Sequence, residues 1–342
     1  MINIIVDAMG GDNAPKAIID GCIEAVNMQD GFKITLVGKS DVIQKILDGN
    51  KFDKDRIDVV NATEVIEGCD TPTKAIKSKK DSSMVVGFRL LKEKKGDAFI
   101  SAGNTGALMT GALLLIGRIK GIDRPSLPAL VPSKKNMVLI IDAGMNTVCR
   151  PINYLQFAIM GSIYMKLIYK LESPKIGLLN VGSEDAKGNE NLKNAFGLLS
   201  TGPINFIGNM EGNDITTGDV DVAVCDGYVG NVSLKLFEGA GSLLLKEIKN
   251  LFTKSIVTKF CYLLMKPAFK DFKSKFDPDE LAGAPVLGVK ELVIKSHGSS
   301  KAKTIRTAIL KRAIPLVQCG VVDEIKNQFE NMEVKPSDDE TS

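Results

Sequence analysis

Residues 2–15 read INIIVDAMGGDNAP, an apolar run of strand length that passes directly into a loop rich in glycine, aspartate and asparagine. Similar apolar runs recur along the chain, and most of them are continuous and do not alternate with polar residues. Continuous runs are typical of strands that are covered on both faces. Nine strands are predicted, over residues 2–6, 33–37, 57–60, 97–101, 137–142, 175–180, 204–207, 221–225 and 292–295.

Segments of helical length and apolar spacing separate these strands, for example residues 16–26, 84–95, 151–171 and 191–199. Strand–helix alternation implies right-handed crossovers, so we predict a three-layer α/β/α fold with a largely parallel sheet. We expect one large domain over residues 1–330, from which a helical hairpin protrudes at about residues 240–280. Residues 331–342 are polar and acidic, and are predicted to form a disordered tail.

The overall composition argues against several classes of protein. A net charge of +3 gives no bulk attraction to nucleic acid. The six cysteines include no CxxC pair, and the chain has one histidine, so no metal site is expected. The longest apolar stretch, around residues 107–117, ends at Arg118 and is too short to span a bilayer. The N-terminus is predicted to be a first strand and not a signal peptide, which indicates a cytoplasmic protein.

Five of the predicted strands run into loops that combine glycine with Asn, Asp, Ser or Thr. In open α/β sheets, ligands bind in the crevice beyond the carboxyl ends of the strands. Each loop is followed by a helix, whose free N–H groups favour an anion. The alternative is that these residues only cap helices and make turns. Repeated double glycines, as at Gly10-Gly11, favour a ligand site because plain capping does not require them.

The familiar nucleotide and nucleophile motifs are missing. No G-x-G-x-x-G follows a strand, the segment from Gly182 to Gly188 lacks the ending of a P-loop, and no G-x-S-x-G is present. The chain therefore has predicted anion sites without an obvious protein nucleophile or cofactor. This combination suits a reaction in which a bound phosphate is itself the nucleophile.

Long motifs resemble one known family in order along nearly the whole chain. They are VDAMGGDNAPKA from Val6, SAGNTGALM from Ser101, GRIKGIDRP from Gly117, GLLNVGSEDAKGNE from Gly177, FIGNMEGNDI from Phe206, CDGYVGNVSLK from Cys225, GAPVLGV from Gly283 and KSHGSS from Lys295. The chain resembles the PlsX family, the acyl-acyl-carrier-protein:phosphate acyltransferases of phospholipid synthesis. One departure is Val148, at a position where the family usually has a carboxylate.

The resemblance implies a fold similar to phosphotransacetylases and isocitrate/isopropylmalate dehydrogenases. It implies that inorganic phosphate attacks an acyl thioester on acyl carrier protein or coenzyme A, releasing acyl phosphate and the free thiol. The acyl phosphate would pass to a membrane acyltransferase that acylates glycerol 3-phosphate, and a homodimer is expected. Three alternatives are an isopropylmalate-type dehydrogenase, a short-chain phosphotransacetylase and a non-catalytic membrane scaffold. Isolated arginines, where a dicarboxylate site needs a cluster, argue against the dehydrogenase.

Arg124 is the first candidate for phosphate binding, because a guanidinium matches phosphate geometry. The proposed catalytic residues are Asn104, Arg124, Lys187, Asn231 and His297. Residues predicted to bind substrate or phosphate are Asp7, Gly10, Gly11, Asn13, Gly103, Thr105, Asp142, Asn146, Gly188, Asn189, Asp226 and Lys235. Each position has a plainer alternative, such as a helix cap, a turn residue or a solvated lysine.

Residues 246–275 contain eight lysines and two acidic residues among many apolar ones. A basic amphipathic helix can lie on an anionic membrane or attract an acidic carrier protein, and it can also pack at a dimer interface. Pro267 is expected to divide this segment into two helices with an apolar tip near residues 263–269. The predicted membrane or carrier contacts are Leu263, Leu264, Lys266, Phe269 and Lys270. We therefore expect peripheral association with the inner face of the cell membrane.

Overall fold

The computed structural model describes residues 1–332, without the side chains of residues 270, 271, 273–275 and 278. All nine predicted strands are present, together with two short strands that the sequence did not indicate. The strands are β1 (Ile2–Asp7), β2 (Phe32–Gly38), β3 (Ile57–Asn61), β4 (Ala98–Ser101), β5 (Ala129–Pro132), β6 (Met137–Ile141), β7 (Lys175–Leu179), β8 (Asn205–Met210), β9 (Val222–Val224), β10 (Ala284–Pro285) and β11 (Leu292–Lys295).

The strands form two sheets and not one, which corrects the prediction of a single sheet. The first sheet has the order β10-β11-β4-β1-β2-β3, and the second has the order β5-β6-β9-β7-β8. All pairings are parallel except those of the edge strands β10 and β5. The α/β class and the mostly parallel pairing are therefore confirmed, and the loops predicted to bind a ligand follow the carboxyl ends of strands in both sheets.

The four helices predicted by example are present, with ends that differ by a few residues. The helices are α1 (Lys16–Met28), α2 (Ser40–Asp48), α3 (Pro72–Ser78), α4 (Ser83–Lys92), α5 (Thr105–Gly111), α6 (Pro151–Tyr169), α7 (Glu190–Thr201), α8 (Asp214–Thr217), α9 (Gly227–Thr253), α10 (Ile256–Lys275), α11 (Ala302–Thr307), α12 (Ile314–Gln318) and α13 (Val321–Glu330). The largest buried cluster includes Ile4 and Ile294 of the first sheet and Leu139 and Ile176 of the second. The boundary at residue 330 stays a prediction, and residues 333–342 of the predicted tail lie outside the described residues.

The helical hairpin is present, but its turn is not where Pro267 was expected to place it. The turn lies between α9 and α10, and Pro267 is inside α10. Ser255 accepts a hydrogen bond from Thr258 N (3.2 Å) and donates its own N–H to Thr258 Oγ1 (3.0 Å), which starts a new helix at this point. Proline removes only one backbone donor, and the exposed helix continues past it.

This turn changes the predicted apolar tip. Leu263 and Leu264 are exposed along the side of α10, whereas Phe269 packs inside the hairpin. Its ring centroid lies 6.0 Å from that of Phe252 and 5.7 Å from that of Tyr262. Aromatic contacts of this kind stabilise the pairing of the two helices. Lys266 is exposed, and the side chain of Lys270 lies outside the described residues.

The return from the hairpin is anchored by Glu280, which pairs with Lys303 (2.9 Å) and Lys311. Hydrogen bonds from Lys311 and Lys303 lower the pKa of Glu280 from 4.5 to about 2. A carboxyl group whose pKa is lower in the folded than in the unfolded protein stabilises the folded state at pH values above its unfolded pKa. That contribution disappears as the pH falls through about 2.

Glu280→Gln is therefore expected to lower the free energy of unfolding by about 1 kcal/mol at neutral pH. The deficit relative to wild type should shrink as the pH falls from 4.5 towards about 2, since protonation of Glu280 then removes from the wild type the ion pairs that the variant lacks at every pH. Urea unfolding across this range checks the prediction. A deficit that does not change with pH would show that the carboxylate charge is not the cause.

Candidate active site

The loops that follow β1 and β4 are locked together by the buried Asp7. Its carboxylate accepts hydrogen bonds from Ser101 Oγ (2.7 Å) and Met9 N (3.1 Å), and Ser101 Oγ accepts one from Gly103 N (3.0 Å). Burial raises the pKa of Asp7 above its ordinary value, against hydrogen bonds from Ser83 and Ser101 that lower it. Asp7 therefore sets the shape of two loops at the carboxyl edge of the first sheet.

The double glycine lets these loops approach more closely than other residues could. A Cβ at Gly10 would lie 2.5 Å from Asp7 Oδ2 and 2.8 Å from Gly103 N. Gly11 has a φ of +111°, and a Cβ there would lie 3.1 Å from the carbonyl oxygen of Gly298. Any larger residue at position 10 would push the two loops apart, so the packing of these loops requires glycine there.

A third loop, which follows β11, joins the first two. The N–H of Asp12 donates to the carbonyl of Gly298 (2.8 Å). Asn13 Nδ2 donates to the carbonyls of Ser299 (3.1 Å) and Ser300 (3.2 Å). The sequence predicted Asn13 as a ligand residue, and in this structure its amide braces the loop that carries His297.

Asn104 caps helix α5, as the alternative interpretation of this residue predicted. Its Oδ1 accepts from Ala107 N (2.9 Å), and its Nδ2 donates to three carbonyls within residues 67–70 at 3.1 Å. The polar atoms of the side chain are thus engaged by the protein itself. The neighbouring Thr105 is exposed at the first position of the helix, where free N–H groups favour an anion.

In the second sheet, the fully buried Asp142 organises the loop after β6. Its carboxylate accepts from Leu127 N (3.0 Å), Met145 N (3.1 Å) and both the N (2.6 Å) and the Nδ2 (2.9 Å) of Asn146. Asn146 Nδ2 also donates to the carbonyl of Pro125 (2.7 Å). Burial raises the pKa of Asp142, while these hydrogen bonds lower it. The network fixes the loop after β6 against the segment that contains Arg124.

Helix α9 begins beside this network. Asp226 caps it by accepting from Val229 N (2.8 Å), and Tyr154 OH donates to the other carboxylate oxygen (3.3 Å). Asn231, one turn into the helix, donates from Nδ2 to the carbonyl of Ala143 (3.3 Å). Asp142, Asn146, Asp226 and Asn231 were all predicted as site residues, and the structure brings them together.

Arg124 is exposed, and its guanidinium has no ion-pair or hydrogen-bond partner among residues 1–332. Two nearby arginines are engaged, because Arg118 and Arg150 both pair with Asp123, at 3.9 and 2.9 Å. The backbone next to Arg124 is held through the carbonyl of Pro125. The guanidinium is therefore available to a ligand, as expected for a phosphate-binding residue.

The loop after β7 presents Lys187, Gly188 and Asn189. Lys187 is half-exposed and lies 3.7 Å from Glu184, a distance at which the ion pair is weak. Gly188 has a φ of +89°, and Asn189 caps α7 by accepting from Leu192 N (3.0 Å). Asn189 therefore caps helix α7, whereas Glu184 holds the ammonium group of Lys187 only weakly.

His297 and Lys295 stand at the end of β11. Nδ1 of His297 lies 2.9 Å from Ser299 Oγ and 3.2 Å from Ser299 N, so Ser299 engages this nitrogen and Nε2 has no partner among the described residues. Lys295 is half-buried, and burial, with the nearby Lys235, lowers its pKa. Its ammonium forms no ion pair within the described chain. Lys235, which was predicted to face the crevice, pairs with Glu238 (2.8 Å).

Met145 joins the two sheets at this crevice. It lies between Gly144 and Asn146 in the loop after β6 and packs against the buried cluster that contains Ala107 and Leu108 of α5. The loop of the second sheet that Asp142 organises therefore packs against the same buried cluster as the helix that Asn104 caps in the first.

Within residues 1–332, every helix is too short or too polar to cross a membrane. Groups of three or more His, Cys, Asp or Glu that could hold a metal ion are also absent from this part of the chain.

Comparison with known proteins assigns the family. The sequence profile described as "Fatty acid synthesis protein" matches residues 2–324. The chain belongs to this family, the PlsX-type phosphate acyltransferases. The chain is 57% identical over 332 residues to a phosphate acyltransferase of Acetivibrio thermocellus, with 97% of this chain and 98% of the relative covered. It is 45% identical to a phosphate acyltransferase of Clostridium tetani, with 97% and 99% covered. The predicted family is thus confirmed, and the dehydrogenase and scaffold alternatives are wrong.

The fold of this phosphate acyltransferase family member is shared with other enzymes. The EutD phosphotransacetylase of Staphylococcus aureus superposes with a TM-score of 0.60 at 12% identity, covering 93% of this chain and 94% of that one. A 4-hydroxythreonine-4-phosphate dehydrogenase of Klebsiella pneumoniae superposes with a TM-score of 0.55 at 13% identity, covering 93% and 99%. At such identity the likeness shows the fold alone, and it confirms the predicted similarity to phosphotransacetylases.

The structure also adds residues to the candidate site that the sequence did not single out. Ser101 donates a hydrogen bond to Asp7, and Tyr154 donates one to Asp226. Lys295 occupies the last position of β11. A lysine directly after the apolar run LVI was the signal for Lys295. Val148 is 83% exposed, so its departure from the family pattern lies outside the Asp142 network.

Proposed function

We propose that the chain catalyses the attack of inorganic phosphate on the thioester carbonyl of acyl-acyl carrier protein or acyl-coenzyme A. The new bond joins a phosphate oxygen to the carbonyl carbon, and the bond from that carbon to sulfur breaks. The products are acyl phosphate and the free thiol of the carrier. The observation that carries this proposal is the unpaired guanidinium of Arg124 beside loops that are rigid, rich in glycine and followed by helix N-termini.

We assign phosphate binding to Arg124, whose guanidinium has no partner among the described residues, and to Lys187, whose ion pair with Glu184 is weak. The helix N-terminus at Thr105 adds free N–H groups. Together these groups would hold a phosphate dianion without consuming its nucleophilic oxygen. Binding both reactants in one crevice supplies much of the rate enhancement, because it converts a bimolecular step into an effectively unimolecular one.

The thioester carbonyl oxygen gains negative charge when phosphate attacks. We assign the stabilising donor to Nε2 of His297, in the tautomer that carries its proton on Nε2 while Ser299 engages Nδ1. Asn231 remains a candidate for a second contact, and its amide position is fixed by the carbonyl of Ala143. A thiolate is a good leaving group, so no strong general acid is required. Asp7, Asp142, Asn104 and Asn189 act as positioning residues in this mechanism.

The carrier is proposed to dock near the lysine-rich hairpin, because acyl carrier protein is acidic and the exposed lysines would attract it. Apolar side chains of α9, such as Leu236 and Leu243, are exposed, and we propose that a second copy of the chain covers them. Sedimentation equilibrium would show a dimer, whereas a monomer at micromolar concentration would contradict this assignment. The acyl phosphate then acylates glycerol 3-phosphate on a membrane acyltransferase.

Membrane association is proposed to use Leu263 and Leu264, which are 64% and 71% exposed, together with the lysines of the hairpin. Replacing both leucines with serine is expected to weaken sedimentation with anionic phospholipid vesicles about tenfold, because it removes the apolar area that enters the bilayer. Phe269 is left unchanged because it packs inside the hairpin.

The matched control replaces Leu113 and Leu114, exposed leucines of the first-sheet side, with serine, and it should bind vesicles as wild type does. Equal vesicle binding by wild type and the Leu263/Leu264 variant would rule out this contact.

The proposed reaction is tested by measuring thiol release against phosphate concentration, with palmitoyl-acyl carrier protein and acetyl-coenzyme A as alternative donors. We expect phosphate-dependent release that favours the palmitoyl donor. A preference for acetyl-coenzyme A would instead assign a short-chain phosphotransacetylase.

A further inference from the structure

A cavity of about 500 Å³ lies between α9, β5 and the segment that leads from α10 to β10. Its volume falls within the range of small-molecule sites. Most of the side chains that shape it are apolar, including Leu130 of β5, Phe237 of α9, Phe276 at the end of the hairpin and Pro285 of β10. Neither phosphate binding nor the loops around Asp142 account for a cavity with these walls.

One face of helix α9 forms a continuous wall of this cavity. The lining positions recur at intervals of three and one, which is the spacing of a single helix face. They are Leu234, Phe237, Glu238, Gly241, Ser242 and Leu245. This face runs for about 16 Å, at 1.5 Å of rise per residue. The cavity is therefore elongated along α9, as a site for an extended chain would be.

The same helix face leads back to the proposed site of reaction. Asn231 lies one turn before Leu234, and its amide is bound to the loop after β6. Lys295, His297 and Ser299 also line the cavity. The cavity thus joins the polar end of β11 to an apolar interior, and the unpaired cation of Lys295 stands where the two meet.

We propose that this cavity binds the fatty acyl chain of the thioester, with the carbonyl group at the end formed by Lys295 and His297. The assignment rests on the proposed function and names the part of the substrate that the cavity selects. A hydrocarbon chain fits apolar walls along a helix, whereas the amide-bearing arm of a carrier would leave its polar groups unpaired there. The length of the cavity then limits the length of the chain.

Gly241 provides the test, because it has no side chain and lies two helical turns after Leu234 on the face of α9 that lines the cavity. A Cβ added there would lie 3.8 Å from Phe276 Cδ1, an ordinary contact, so the first carbon fits and larger groups enter the cavity. Gly241→Leu is expected to lower kcat/KM for palmitoyl-coenzyme A by at least about tenfold, and to leave octanoyl-coenzyme A within about twofold. The control is Gly197→Leu, in the middle of α7, where an added Cβ meets nothing within 4 Å.

The outcomes separate this proposal from the proposed function. Equal kcat/KM losses for both donors, or no loss for either, would overturn the chain site while phosphate-dependent turnover by wild type still supports the reaction. If wild type shows no turnover, binding of a fluorescent long-chain fatty acid tests the cavity alone. Gly241→Leu should weaken that binding at least about tenfold and Gly197→Leu should not. Gly241→Ala, which fits without strain, gives a smaller shift in the same direction if the leucine variant does not fold.

Discussion

Replacing Gly230 with alanine is expected to abolish activity and to destabilise the protein by about 3 kcal/mol or more. A Cβ at this position would lie 1.9 Å from the carbonyl oxygen of Asp142 and 2.9 Å from Cys225 Sγ. Both neighbours are buried and belong to adjacent strand ends, so neither can move without disturbing β6 or β9. Helix α9 would have to shift away from the Asp142 loop, and Asn231 would move with it.

Gly239→Ala is the matched control on the same helix, because an added Cβ there meets nothing within 4 Å. This change should stabilise the protein by about 0.5–1 kcal/mol, since alanine favours the helix over glycine. Thermal unfolding and thiol-release activity measure both variants. Wild-type stability and activity in Gly230→Ala would show that α9 is not seated against Asp142 as described.

Arg124→Ala is expected to reduce kcat/KM for phosphate about 100-fold, because a charged hydrogen-bonding partner of the anion is lost. The KM for the acyl thioester should change by less than about twofold, since the reacting thioester group itself carries no charge for a guanidinium to bind. Arg124→Lys should recover about a tenth of the lost activity, because it restores the charge without the two-pronged geometry. Initial rates against phosphate and against palmitoyl-coenzyme A separate the two effects.

The control for Arg124 is Arg118→Ala, an exposed arginine of the same segment that already binds Asp123. It should leave kcat/KM for phosphate within about threefold. A loss as large as that of Arg124→Ala would mean that general positive potential, and not a specific phosphate contact, explains the effect.

Individual elements show how far the sequence determines the fold. The nine predicted strands are continuous apolar runs, and the burial of Ile4, Ile5 and Val6 within β1 explains why such a run can be recognised. Strands β5 and β10 were missed because they are short, contain a proline and are paired antiparallel at an edge. The division into two sheets was not predictable, since β11 pairs with β4 across most of the chain.

The site shows the same division between local and long-range information. Gly10, Asp142 and Asn231 were predicted because glycine and polar residues directly after a strand indicate a loop that binds a ligand or holds a neighbouring loop in place. Their roles depend on partners that are distant in sequence, as when Asn13 holds the loop of Ser299. Lys295 was missed because its importance comes from the cavity beside it, which only the packing of α9 against β5 and β10 creates.

The most direct test of the account is a single turnover of palmitoyl-acyl carrier protein with inorganic phosphate labelled with ¹⁸O at all its oxygens. We predict that thiol appears only when phosphate is present, in equal amount to acyl phosphate that retains every labelled oxygen, because phosphate itself is the nucleophile. A stoichiometric burst of thiol without phosphate would indicate an acyl-enzyme, and free fatty acid as the first product would indicate attack by water. Either result would contradict the proposed reaction.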